Sequence, residues 1–576
     1  MKKLYQLMAA CCLLSLFASP LMAQIPNDSP IPVDVFYEVP STGFSRTVGD
    51  YGSVTNSTEW GTQPLRNTVS AELMWVDDDD LAGDGLDSLG CDTTTMADYS
   101  GKMALIRRGE CFFSDKLFFA EKAGAIAAII VNNGGDPLGG MSAGDERGLE
   151  VTMPSIFVND EAELAGAISA LDAGETVIGT FQVRAFFGEL GPENYGTPMS
   201  QVTPLENISV DLLNIDPETP VLDASASVDI IAPDGTETKL TAEVDTIQPD
   251  GIHTFEFEAY TPDQMGAYEL IYSNSLTLDT LMRRFEVTEF TFQMDNGDIP
   301  EWPADSWIAP TSEGFVEDLL VYDFGNYYEL GSEPSVATHA TFSIANPDSI
   351  YTGFEDADMF MLTLFDTDPD GDGVGAVAGQ IDYSEYEEVA TAIYILSGDE
   401  EPYDLLTVPF IEPVPLKADG KYLLMARYEG VNAALGIPPW YTYGGQDTYP
   451  GISTMTFTDQ LYTGGWVGDY SAVTRLHLEG FTPVNTEEQR LEDSKAVVFP
   501  NPADDRIQLE LQLDEYADEV RIGLVDMFGR VIERNIHEGI KGGTFTYDTA
   551  NLNAGTYFLV VYTPEGQATK RFVVIH

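Results

Sequence analysis

Apolar residues recur at every second position over much of this chain, and turn signals separate the runs. Ser225 to Ile231, His253 to Phe257 and Tyr268 to Tyr272 alternate in this way, with Pro233-Asp234-Gly235 and Pro249-Asp250-Gly251 between them. A period of two places the apolar side chains on one face of a strand, whereas a helix would need a period near 3.6. Such short runs and tight turns over residues 193–290 predict an immunoglobulin-like β-sandwich. Longer strands follow in 291–481, clearest at 361–365, 392–396 and 422–428, and their spacing suits a jelly-roll-like double sheet. A charged, Gln-containing stretch at 482–494 reads as a linker. In 495–576, alternating Ile507, Leu509 and Leu511, and Tyr557, Leu559 and Val561, predict a small half-buried antiparallel sheet.

Residues 35–187 break the pattern. Residues 102–106 read as a buried strand, 108–111 as a turn, and 114–124 as a helix with Phe118, Ala120 and Ala123 near its inner face. The apolar run 127–131 is a second strand that ends in Asn132-Asn133-Gly134-Gly135. Strand, helix, strand at this length implies a parallel crossover. The fold class is therefore mainly β and multidomain, with one α/β module followed by β-sandwich modules.

The 576 residues carry 27 Lys and Arg against 95 Asp and Glu, a formal charge of −68. A chain this acidic repels the phosphate backbone, which excludes nucleic acid as a partner. A hydrophobic fraction of 44% and an aromatic fraction of 11% belong to ordered domains. Residues 1–23 combine Lys2 and Lys3, an apolar run and a small-residue end at Ala23, the pattern of a cleaved secretory signal peptide. A lipoprotein anchor at Cys11 or Cys12 would leave too short an apolar stretch before the cysteine. No later apolar run reaches the ~20 residues that cross a bilayer. Removal of the signal leaves Cys91 and Cys111 as an isolated pair in an oxidising compartment, and a disulfide between them is the simplest reading. Zinc would need further ligands close by, and no histidine precedes His253.

Several spaced motifs carry a resemblance. Residues 101–113, with Arg107-Arg108-Gly109-Glu110-Cys111, the helix running into Ala123-Gly124-Ala125, the strand into Asn132-Asn133, and Met153-Pro154-Ser155-Ile156-Phe157-Val158 together resemble a protease-associated (PA) domain over 35–187. The resemblance implies a compact β-rich fold with few helices that binds partners or substrates and is not itself catalytic. Val498-Phe499-Pro500-Asn501-Pro502, Asp526-Met527-Phe528-Gly529-Arg530, Asn553-Ala554-Gly555-Thr556-Tyr557 and the terminal Lys570-Arg571-Phe572 resemble a type A sorting domain of the type IX secretion system. That resemblance implies a periplasmic intermediate, an outer-membrane exporter as partner, and release or attachment to surface lipopolysaccharide. The 291–481 region resembles galactose-binding-like sandwiches at the level of pattern.

Catalytic patterns are scarce. None of His253, His339, His477, His537 and His576 lies in a helical pair of zinc-peptidase type, and no Gly-x-Ser-x-Gly elbow occurs. Cys91 and Cys111 fit a disulfide better than a nucleophile. The sharpest local chemistry is Asp366-Thr367-Asp368-Pro369-Asp370-Gly371-Asp372-Gly373, where alternating carboxylates and a glycine suit calcium. The twelfth position is Val377 and not glutamate, so the set would be completed elsewhere, by Asp382 or Glu385; a solvated acidic hairpin is the alternative. The run Asp77 to Asp80, with Asp84 and Asp87, lacks that alternation and reads as a solvated loop. Trp440, Tyr441, Tyr443 and Trp466 could stack on sugar rings at a loop rim, or could fill a core. The expected protein is a secreted or cell-surface, non-catalytic binder of extracellular protein or glycan with structural calcium. The alternatives are a hydrolase or protease accessory subunit and a surface adhesin.

Overall fold

The computed structural model describes residues 31–48, 51–52, 60, 65–77, 88–91, 98–132, 141–144, 146–158, 161–192, 194–295, 307–308, 322–351, 359–369, 386–428, 441–444, 453–457, 460–463, 471–483, 491–492, 494–526 and 531–575. It is mainly β and multidomain. Among the described residues no helix is long and apolar enough to cross a membrane.

The first module is built on an eight-stranded mixed sheet. Val69–Trp75, Met103–Arg107, Ala127–Val131 and Ser155–Val158 run parallel at its centre. Helix Phe113–Lys122 makes the crossover from the second to the third of these strands. Every residue of Ala127–Val131 is buried, because apolar clusters cover both faces of the sheet. This explains a continuous apolar run in place of alternation. Leu117 and Ala120 form the helix's inner face, and Phe118 packs only at its margin.

The module ends earlier than the sequence suggests. Its last strand is Ile178–Val183, and Phe186–Leu190 already pairs with Ser209–Leu213 in the next unit. There a three-stranded sheet, Ile252–Glu256, Ser209–Leu213 and Phe186–Leu190, faces one end of a nine-stranded sheet across a common apolar core.

Nor does that larger sheet stop at residue 290. Thr291–Gln293 pairs with Gly196–Pro198 on one side and with Thr474–Leu478 on the other, so one sheet runs through both central modules. Gly196 permits the crossing: a Cβ there would lie 2.4 Å from Gln293 Cγ. Two separate cores persist along the shared sheet. In the third module the second layer is a six-stranded antiparallel sheet containing Met359–Asp366, Glu387–Ile395 and Lys421–Tyr428.

The last module folds around strands Ala496–Phe499, Arg506–Asp526, Val531–Asp548, Gly555–Thr563 and Gly566–Val574. Ile507, Leu509, Leu511, Tyr557, Leu559 and Val561 all point into its core. Leu491 does too, with its N–H donating to Gln567 O at 2.9 Å, so this part of the stretch read as linker belongs to the module. Phe528, Gly529 and Arg530 lie outside the described residues.

Candidate functional site

Parallel strands present their carboxyl ends at one rim of a sheet, and in open α/β sheets ligands bind along that rim. In the first module Trp75, Arg107, Asn132 and Val158 occupy the last positions of, or directly follow, the four parallel strands. The Arg107 guanidinium lies over the Trp75 ring, 4.1 Å from its centroid, and Nε donates to Glu161 Oε1 at 2.8 Å. Arg108 donates from Nη1 to the buried Asn132 Oδ1 at 2.8 Å and sits near the rings of Phe113 and Phe157. Cation–π contact, Glu161 and the Asn132 amide fix the two guanidinia, which lie on opposite faces of the sheet end and are partly open to solvent. Glu161 already gives Arg107 a carboxylate, and in a chain with so few basic residues Arg108 is the rim cation suited to a second one.

The adjoining turn is tightly held. Gly109 has φ 138° and Glu110 φ 59°, and Cys111 is bonded to Cys91 across a separation of 20 residues with the Cα atoms 5.9 Å apart. The buried Lys116 donates from Nζ to Leu89 O and lies 3.9 Å from Cys91 Sγ. Beside it Phe112 is 56% exposed, its ring packed against Gly144. The Asp77 backbone N–H donates to the Tyr99 hydroxyl at 2.8 Å. Asp78, Asp79, Asp80, Asp84 and Asp87 lie outside the described residues.

The acidic loop of the third module begins where Met359–Asp366 ends. Asp366 is buried; its Oδ2 lies 2.7 Å from Lys417 Nζ, and its Oδ1 accepts the Asp368 N–H at 3.1 Å. Lys417 also donates to Pro369 O at 3.2 Å, and the Thr367 N–H and hydroxyl both donate to Lys421 O. The hydrogen bond to Asp366 raises the Lys417 pKa. These contacts fasten the loop to the turn before Lys421–Tyr428 and enclose a hollow of about 300 Å³. A divalent ion at Asp366 would meet the Lys417 ammonium. Among the described residues no three His, Cys, Asp or Glu side chains are grouped to hold a metal. Asp370, Asp372, Asp382 and Glu385 lie outside them, so the complete ligand set does too. Tyr441 and Tyr443 lie on the short strand Tyr441–Gly444, paired with Trp307–Ile308 and Ser471–Ala472; Trp440 and Trp466 are outside the described residues.

At the joint between the central modules, buried Asp295 takes a two-pronged ion pair from Arg475, with Nε to Oδ2 at 3.0 Å and Nη2 to Oδ1. Neighbouring His477 bridges two hydroxyls, Thr291 Oγ1 at 2.9 Å from Nδ1 and Thr341 Oγ1 at 2.7 Å from Nε2, and stacks on Phe481. Burial, then Arg475 and His339, hold the His477 pKa well below its ordinary value, so the ring is neutral. These groups staple the shared sheet together. The rim arginines and this joint were not singled out from sequence, although Arg107 and Arg108 did carry a signal: two of few basic residues directly after a buried strand.

Comparison with known proteins agrees with this architecture at its two ends. The PA domain profile matches residues 69–165, and that of the secretion system C-terminal sorting domain matches 497–575. A probable leucine aminopeptidase 2 of Aspergillus fumigatus is 38% identical over 88 residues, 15% of this chain and 18% of that protein. The minor extracellular protease Vpr of Bacillus subtilis is 38% identical over 79 residues, 14% of this chain and 9% of that protein. The chain thus spans less than a fifth of the length of the curated relatives it matches. An aminopeptidase from Aneurinibacillus sp. strain AM-1 is similar over 27% of this chain and 31% of its own, with 23% identity and a TM-score of 0.18. The chain is a PA-domain protein that carries a secretion system C-terminal sorting domain and is exported, by secretion or to the cell surface.

Proposed function

We propose that the exported chain is a non-catalytic binding protein that captures an extracellular protein or glycan carrying a carboxylate at the PA-module rim. The observation that supports this reading is Arg108 at the carboxyl ends of the parallel strands, held by Asn132 beside Phe113 and Phe157 and half-open to solvent, with Arg107 on the other face of the sheet end paired to Glu161 over Trp75. The central sandwiches then act as a rigid spacer, and a structural calcium ion would be held by the aspartates that follow Asp366 in the loop, since Lys417 already pairs Asp366. Buried carboxylates elsewhere are already engaged, Asp295 by Arg475, Asp366 by Lys417, and Glu400 by Tyr394, Ser397 and Gly398. Such engagement suits a scaffold better than acid–base work.

The test is an array of extracellular proteins and acidic and neutral glycans, probed with the mature chain in calcium and in chelator. Hits that weaken at least tenfold in Arg107→Ala/Arg108→Ala, with thermal stability retained, support the reading. Hits indifferent to both arginines refute it. The peptidase names among the relatives favour a second reading, an accessory subunit of extracellular proteolysis. In that case the captured partner is itself a protease, and the same array separates the two.

A further inference from the structure

A strand in an antiparallel sheet that faces water on one side alternates apolar and polar residues; a strand without alternation needs cover on both sides. Met359–Asp366, with seven of its eight side chains buried, is of the second kind. Its Phe360, Leu362 and Leu364 enter the third module's own core, as do Ala392 and Tyr394 of the neighbouring strand. Met359, Ile393 and Ile395 point the other way and are equally buried.

The last module provides their cover. Within Gly555–Thr563, Tyr557, Leu559 and Val561 face that module's interior, and the intervening Phe558 and Val560 turn outward. Phe558, Val560 and Val525 form one buried cluster with Met359, Ile393 and Ile395, with Ile411 and Val531 at its margin. Polar contacts frame it: Gln567 Nε2 donates to Ile393 O at 3.1 Å, and Arg521 Nη2 donates to the Tyr351 hydroxyl at 3.2 Å. Val560 is 0% exposed, a degree of burial typical of an interface core and not of a tethered, freely tumbling appendage.

We propose that the sorting module is docked in cis as the hydrophobic cover of the third module's outer sheet face, and that detaching it uncovers Met359, Ile393 and Ile395. The two-faced strands on both sides are complementary, since each module leaves its second apolar face to be filled by the other.

A specific protease site inserted between residues 486 and 487 of the full mature chain provides the test. After cleavage the two pieces should co-elute in gel filtration at about 10 μM, and an apolar-surface dye should stay dark. Phe558→Asp should weaken their association by about thirtyfold or more, the loss expected at an interface hot spot, so that the pieces separate and dye fluorescence rises. Ile393→Asp, placed on the opposite module, should do the same, which guards against local unfolding of either piece by one variant. Circular dichroism of each separated piece reports that it remains folded. Cleaved wild-type pieces that separate at this concentration overturn the proposal, and so do folded variant pieces that stay together.

Discussion

Replacing Asp295 by asparagine keeps the shape of the side chain and removes its charge. Asp295 is fully buried, and Arg475 is only 12% exposed, so the guanidinium would be left in the joint without its two-pronged partner. Glu286 is the remaining carboxylate near it, and burial raises the pKa of that group, which makes it a poor substitute. Breaking a buried ion pair by removing one partner costs about 3–5 kcal/mol. A unit of 150–250 residues shifts its midpoint by about 2–4 °C per kcal/mol, so Asp295→Asn should lower the transition of the central modules by roughly 6–20 °C. The paired change Asp295→Leu/Arg475→Met removes both charges and should lie within about 1 kcal/mol of the wild type or above it. Scanning calorimetry of the mature chain measures both, and urea melts supply the free energies. A midpoint change under about 2 °C for Asp295→Asn, or a double variant as unstable as the single one, would refute the argument that the pair staples the shared sheet.

Three other outcomes are expected. His477 is held neutral in the folded chain, whereas unfolded it titrates near 6.5; the unfolded state therefore binds the extra proton as pH falls below that value, and stability is lost at up to about 1.4 kcal/mol per pH unit. Urea melts at pH 7.5 and 5.5 should show a smaller pH dependence in His477→Gln, and equal dependence would remove His477 as the cause. Reduction of Cys91 and Cys111 reopens a loop of about 20 residues and should cost about 3 kcal/mol, read as lower stability of the first module and faster proteolysis near residue 91; an unchanged melt after reduction contradicts it. If calcium occupies the acidic loop, saturation at 100 times the Kd should stabilise the wild type by about 2.7 kcal/mol, and Asp368→Ala/Asp370→Ala should abolish that gain. Equal loss of stability with calcium and with chelator would leave Lys417 as the loop's only required cation.

Much of the fold was legible because strand and crossover signals are local. Ile507, Leu509 and Leu511 alternate within five residues, and the uninterrupted run at Ala127–Val131 announced the second strand of a parallel crossover. The joint between the central modules was not legible. Thr291–Gln293 is three residues long, too short for a period to show, and its partners at Gly196–Pro198 and Thr474–Leu478 are distant in sequence. Leu491 was hidden for a similar reason, since one apolar residue among charges has no pattern until the core that receives it is known. In the acidic loop the spacing of aspartates spoke for a cation, but it could not show that the turn holding Lys417 would bring an ammonium to Asp366.

The two-faced strands mark the boundary between these cases. In Met359–Asp366 the loss of alternation is visible in the sequence and says that the strand is covered twice, whereas Gly555–Thr563 reads as an alternating, half-buried strand although both of its faces are covered. The pattern does not say by what, because pleat geometry fixes only which side chains share a face. The inner cover of each strand is its own module's core, and that much follows from module size. The outer cover is the other module, so the residues that build each sheet also encode the docking between them: Phe558 and Val560 are the odd positions out in one strand, Met359 in the other. A substitution at any of these buried interface positions would leave both module cores intact and still change how the chain is assembled.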